Sequence, residues 1–312
     1  MSRFVVAILA NVLGLMVFVS PSSASGSDKP ACNLRRLASL ELVTEPTGGV
    51  SVPAAIDGVD GLLAVDTGGI NSLIGQSVVT KLGLEVSSSQ ARAVMFGGFL
   101  VYQMTQPKRL LLGQIVSTDI PMLVVPTSLL RTDAIGMLAP NYFSHFDIEF
   151  DFAGGKFNIF SQDHCAGQVV YWTQSAYTTI PFEISGAGHI IVTATLDGKE
   201  IHAIVDTGAD RSTMTMDRAH SLFGIKAGDA ALKLIGDIMI NASAPTRAYR
   251  FSFSSLNLNG VQIQNPNIDI LTGSRFQVGD ADMILGIQTL RQLHLYIAYK
   301  EQVLYATPVE VK

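Results

Sequence analysis

Two aspartates carry the chemistry available to this sequence. Asp66 closes the apolar run Gly61-Leu62-Leu63-Ala64-Val65 and is followed by Thr67-Gly68-Gly69. Asp206 closes Ile201-His202-Ala203-Ile204-Val205 and is followed by Thr207-Gly208-Ala209, 140 residues later. A carboxylate at the end of an apolar strand costs several kcal/mol unless it is partnered, so its appearance twice in the same setting calls for a role. Two carboxylates at hydrogen-bond distance cannot both ionise readily and share one proton. The ionised member can then activate a water while the protonated member polarises a carbonyl, and the roles reverse to protonate the leaving amine. Thr67 and Thr207 are expected to lock the two loops by hydroxyl bonds to backbone across the pair. Gly68 and Gly208 are expected to permit a tight backbone that aims main-chain N–H groups at the carboxylates.

Such a pair needs two equivalent scaffolds, and the chain repeats around each motif. Val52 to Ile56 precedes Asp57-Gly58, and Ile190 to Leu196 precedes Asp197-Gly198; an Asp-Gly between apolar runs signals a hairpin. Helical segments follow each motif, Gln76 to Leu82 before Gly83 and Met216 to Phe223 before Gly224. Further on, Ala134-Ile135-Gly136 is matched with Ile284-Leu285-Gly286, and each is followed by a short helix-like stretch and a closing hairpin. Those hairpins run from Phe146 to Phe160 around Gly154-Gly155 and from Leu293 to Tyr305 around Lys300-Glu301. The alternation of Phe150, Phe152, Phe157 and Ile159 predicts half-buried strands. Two homologous β-rich lobes follow, spanning 25–165 and 166–312, with 165–179 as the linker.

Composition narrows the class of partner. The chain has 312 residues, 48% of them hydrophobic and only 15% charged, which excludes a disordered tail protein. With 21 Lys+Arg against 26 Asp+Glu the net charge is −5, and no basic cluster offers a nucleic-acid surface. Arg3, the apolar stretch Phe4 to Val19, Pro21 and the small residues Ser22-Ser23-Ala24 form the pattern of a secretory signal covering 1–24. The alternative is an uncleaved membrane anchor. Elsewhere no apolar run reaches the roughly 18 residues of a spanning helix. Cys32 and Cys165 are an even count at the two ends of the first lobe, a candidate disulfide in an oxidising compartment; two separate thiols are the alternative. Six histidines show no metal-binding spacing and no H-E-x-x-H, and no nucleophile elbow or phosphate loop occurs. Asp210 and Arg211 form either a surface pair or a substrate contact, and Tyr171 and Trp172 read as a packing patch.

On Asp66-Thr67-Gly68-Gly69, Asp206-Thr207-Gly208-Ala209-Asp210 and the paired apolar-apolar-glycine segments, the chain resembles aspartic proteases of the retropepsin and pepsin clan. It is most similar to exported bacterial chains with two fused retropepsin-like lobes. The resemblance covers nearly all of 25–312. It implies an all-β, bilobal fold, two β-barrel-like lobes about an approximate two-fold axis, and peptide-bond hydrolysis by Asp66 and Asp206 without metal or cofactor. It also implies a protein or peptide substrate, a monomer, and a periplasmic or secreted location without stable membrane insertion. In the family the apolar-apolar-glycine segment threads behind the catalytic loop. Flaps are weakly marked: Phe96-Gly97-Gly98 in the first lobe, Ile235-Gly236 in the second, with an ordinary hairpin turn as the alternative at Gly97-Gly98. Gly69 departs from the usual Ala or Ser, which is expected to loosen the first loop. Since neither Gly69 nor Ala209 carries a hydroxyl, the pair is expected to hold its proton to higher pH than a pepsin-like site. A periplasmic peptide-binding or scaffold protein that keeps the fold without cleaving is the alternative function.

Overall fold

The Asp-Gly dipeptides turn the chain as their chemistry dictates. Asp57 and Gly58 take φ of 46° and 85°, and Asp197 and Gly198 take 43° and 77°, the paired positive φ of a tight hairpin turn. Each turn joins two seven-residue strands, Val50–Ile56 to Val59–Val65 and Ile190–Leu196 to Lys199–Val205, so each motif aspartate follows the second strand of its hairpin. The turn carboxylates are anchored alike. Asp57 accepts from the N–H groups of Lys108 and Arg109, and Asp197 from those of Ser254 and Ser255.

The computed structural model describes residues 32–45, 48–94, 100–131, 133–241, 244–273 and 281–309. The chain is all-β with two lobes. A ten-stranded sheet holds the strands between Val43 and Leu138, and a fifteen-stranded sheet holds Arg36–Glu41 and the strands from Asp147 onward. Among the described residues no helix is long and apolar enough to cross a membrane. The helices Gln76–Leu82 and Met216–Phe223 end at Gly83 and Gly224, both left-handed, as the sequence predicts.

The closing hairpins do more than finish each lobe. Asp147–Asp151 pairs with Leu293–Ala298, with Ile148 opposite Ile297 and Phe150 opposite Leu295. Three strands from each half therefore form one antiparallel run: Arg36–Glu41, Lys156–Phe160, Asp147–Asp151, then Leu293–Ala298, Val303–Pro308 and Thr178–Ile184. Its apolar face buries Ile148, Phe150, Phe157 and Ile159, each 0% exposed. Full burial of such side chains stabilises by about 1.5–3 kcal/mol each.

The other face corrects the expectation of half-buried strands. Asp147, Glu149 and Asn158 are also buried, because the segment read as a linker lies over them. Val169 is fully buried there, and Trp172 stacks on His294 with centroids 4.4 Å apart. Tyr171 donates to Glu149 at 2.7 Å, and His294 Nε2 meets the same carboxylate at 2.7 Å. These carboxylates tolerate burial because each is partnered. Cys32 and Cys165 are disulfide-bonded, with Cα atoms 5.0 Å apart, tying the chain ahead of Arg36–Glu41 to the start of the covering segment.

His164, beside that disulfide, couples the covering segment to pH. Its Nε2 lies 2.5 Å from Asp147 Oδ2, and its Nδ1 faces the Cys165 carbonyl at 3.2 Å and Glu301 Oε1 at 3.4 Å. Burial pulls the imidazole pKa down, but the Asp147 and Cys165 hydrogen bonds and the two carboxylate charges outweigh it, and the net shift is upward. The stabilisation is thus complete below the unfolded value of about 6.5 and is lost as pH rises through the higher folded value. Urea unfolding from pH 5.5 to 8.5 should show stability falling with pH. His164→Gln should be less stable at pH 5.5, with the gap to wild type closing toward pH 8.5.

Candidate active site

Each motif loop exists because a strand is inserted beneath it. Ala134–Leu138 lies parallel to Val59–Val65 and antiparallel to Leu73–Gly75, so the chain from Asp66 to Ser72 must cross over its end. Met283–Leu285 does the same between Lys199–Val205 and Thr213–Thr215. Asp66 N donates to the Leu138 carbonyl and Asp206 N to the Leu285 carbonyl, each at 3.0 Å.

These bonds revise the pairing of the two threading segments. Leu138 is the counterpart of Leu285, so Gly286 corresponds to Ala139, not to Gly136 as the tripeptides suggest. Serine hydroxyls agree: Ala139 N donates to Ser72 Oγ and Gly286 N to Ser212 Oγ, each at 3.1 Å. Both glycines are forced by contact, but at different places. A side chain on Gly136 would strike the Leu73 carbonyl, and one on Gly286 the Arg211 backbone.

The threonines join the loops reciprocally. Thr67 Oγ1 donates to the Val205 carbonyl at 2.8 Å and accepts from Thr207 N at 3.1 Å. Thr207 Oγ1 donates to the Val65 carbonyl at 2.7 Å and accepts from Thr67 N at 3.1 Å. Both side chains are fully buried. Asp66 Oδ1 accepts from Gly68 N at 2.9 Å and Gly69 N at 2.7 Å, and Asp206 Oδ1 from Gly208 N at 2.7 Å and Ala209 N at 3.0 Å. Gly69 N–H makes the same kind of bond as its counterpart Ala209 N–H.

Gly68 and Gly208 serve a different purpose from the one their loops suggest. Neither adopts a left-handed backbone. A Cβ on Gly68 would overlap the Asp206 carboxylate, and one on Gly208 the Asp66 carboxylate. The glycines leave room for the opposite aspartate, and this brings the two carboxylates together.

Burial raises the pKa of both aspartates. For Asp66 the Gly69 and Gly68 N–H groups, the Asp206 bond and the Arg131 charge pull back. For Asp206 the Asp66 charge adds to burial, and its pKa stands well above the ordinary value. Both carboxyls are thus pushed toward the protonated form, so the pair shares one proton and the titration belongs to the pair.

Of the other anticipated residues, Phe96-Gly97-Gly98 fall between the strands Ser87–Val94 and Leu100–Thr105, outside the described residues. Ile235 and Gly236 lie inside the strand Lys233–Asn241, ahead of the connection to Ala244–Ser252, so they do not form a turn. The apolar side chains there are nevertheless open to solvent, Leu234 most at 62%. Asp210 and Arg211 do not pair with each other. Asp210 meets Arg131 at 2.9 Å, and Arg211 bonds Gln288 at 3.1 Å.

Two features went unforeseen. Ser72 and Ser212 stand at the 140-residue offset of the motifs, a signal the repeat contains. Arg131 has no sequence signal, since it reaches Gly208 and Asp210 from the other half of the chain. Among the described residues no group of three His, Cys, Asp or Glu side chains is placed to hold a metal.

The family described as aspartyl protease matches residues 52–139 and 192–289, one match over each motif. No curated protein matches the chain. The crystal structure of Basic 7S globulin from soybean shares the fold at a TM-score of 0.51 and 10% identity, over 88% of this chain and 95% of that one.

The reciprocal threonine bonds give a stability test independent of activity. Thr207→Val keeps the shape but leaves Thr67 N–H and the Val65 carbonyl buried without partners. Urea unfolding should register a loss of roughly 2–4 kcal/mol, and a loss under 0.5 kcal/mol would contradict the role assigned to these bonds.

Proposed function

Since this chain belongs to the aspartyl protease family, we propose that it is an aspartic endopeptidase in which Asp66 and Asp206 cleave peptide bonds through an activated water. The observation that carries this reading is two half-buried carboxylates brought together, each lying against the glycine of the opposite loop and each held by two backbone N–H groups on one oxygen. The ionised carboxylate of the pair takes a proton from water as the oxygen attacks the peptide carbonyl. The protonated one gives its proton to the carbonyl oxygen. In collapse of the tetrahedral intermediate, the first returns its proton to the leaving nitrogen and the second recovers one from the diol, restoring the starting state. The residues supply both acid and base, so the step needs no metal.

The setting proposed for this activity is outside the cytoplasm, with residues 1–24 as a signal and a single chain, monomeric, contributing both lobes, 25–165 and 166–312. The disulfide between Cys32 and Cys165 supports export, since such bonds persist in oxidising compartments. N-terminal sequencing of protein recovered from the exported fraction should read Ser25 first. A chain that retains Arg3 would contradict the cleaved-signal reading.

Asp66→Asn and Asp206→Asn keep the shape of each side chain and remove its acid–base chemistry. Each should lower kcat on a cleaved peptide by at least about a thousandfold with an unchanged melting temperature. A statine-type transition-state mimic should bind wild type tightly and each variant weakly. A wild type that binds peptides without cutting any would favour the binding or scaffold alternative.

A further inference from the structure

Arg131 touches the second motif loop from the first half of the chain. Its Nη2 donates to the Gly208 carbonyl at 2.7 Å, and its Nη1 lies 2.9 Å from Asp210 Oδ1 and 3.7 Å from Glu45 Oε2. The guanidinium packs where any side chain on Gly49 would overlap it. Glu45 is itself held, accepting from Ser51 Oγ at 3.0 Å. The arginine is thus fixed between a carboxylate of its own half and one of the other half, and it is largely buried, with 19% of its side chain exposed.

The Gly208 carbonyl belongs to the same amide as the Ala209 N–H, and that N–H donates to Asp206 Oδ1 at 3.0 Å. A cation on the carbonyl oxygen draws electrons through the amide and strengthens the N–H as a donor, since hydrogen bonds in a chain polarise one another. Bridging Gly208 O and Asp210 also fixes the plane of this amide. Resting on the aspartic-protease reading above, we propose that Arg131 is a positioning residue that acts through the Gly208–Ala209 amide to set the pH at which the dyad loses its first proton. The same charge acts directly on Asp66, whose ionised form it favours.

The test combines two readouts. In protein labelled with ¹³C at the aspartate carboxyls, with resonances assigned through Asp66→Asn and Asp206→Asn, the dyad is titrated in wild type, Arg131→Met and Arg131→Lys. Methionine keeps the apolar stem without the charge, and its dyad should lose the first proton about one pH unit higher. Lysine keeps the charge but cannot bridge Gly208 O and Asp210 together, so its dyad should move upward by a smaller step. On a cleaved peptide, the acid limb of kcat should move with the titration, and kcat in Arg131→Met should fall about tenfold with KM within about twofold of wild type. An unmoved titration in either folded variant overturns the proposal. Should wild type cleave nothing, the protease reading fails, while the carboxylate titration still decides the role of Arg131.

Discussion

Two carboxylates that must share a proton constrain everything around them. Their approach is opposed by burial and by each other's charge, and the chain opposes that penalty with backbone. Four N–H groups point at the two inner oxygens, two glycines remove the Cβ atoms that would keep the pair apart, and four threonine bonds clamp the loops to each other. None of these bonds is strong alone, at about 1 kcal/mol net for a typical one. Together they leave the loops no alternative arrangement that satisfies the same buried groups.

The sheet shared by the two halves supplies the rigidity this clamp requires. A pair of lobes joined only at the threonines could rock and change the carboxylate separation. Three strands from each half, hydrogen-bonded through Ile148 and Ile297, resist that motion. The polar face of this sheet, with Asp147 on His164 and Glu149 on His294, adds directional bonds to apolar burial. The bond of Asp147 to His164 depends on protonation, so the folding equilibrium and the proposed chemistry respond to the same solution variable.

Much of the scaffold was legible because it is locally encoded. Asp57-Gly58 and Asp197-Gly198 require positive φ, Gly83 and Gly224 stop helices, and the repeat shows that both lobes share one plan. Legibility ended where two segments had similar composition but different register. Gly136 looked like the partner of Gly286 because each follows two apolar residues, whereas the backbone bonds of Asp66 and Asp206 pair Leu138 with Leu285. Tyr171 and Trp172, read as a packing patch, do pack, Tyr171 against Trp172 and Trp172 on His294 and Tyr296. What their segment covers was not legible, because the carboxylates it satisfies are distant in sequence; Tyr171 has its partner Glu149 22 residues earlier.

The sequence alone determined that there are two equivalent aspartate loops, each on a hairpin and each followed by a helix. Local propensity and turn chemistry act within a few residues, and a repeat is visible without coordinates. The tertiary structure decided how the loops meet: which atoms hold each carboxylate, why Gly68 and Gly208 must lack a side chain, and that Arg131 reaches across to the Gly208 carbonyl. Those facts depend on contacts between residues some 77 to 140 positions apart. The repeat offset marked the threonine contact across the pair, but spacing carries no information about a contact outside the repeat, such as Arg131 on Gly208, because only packing converts separation along the chain into distance in space.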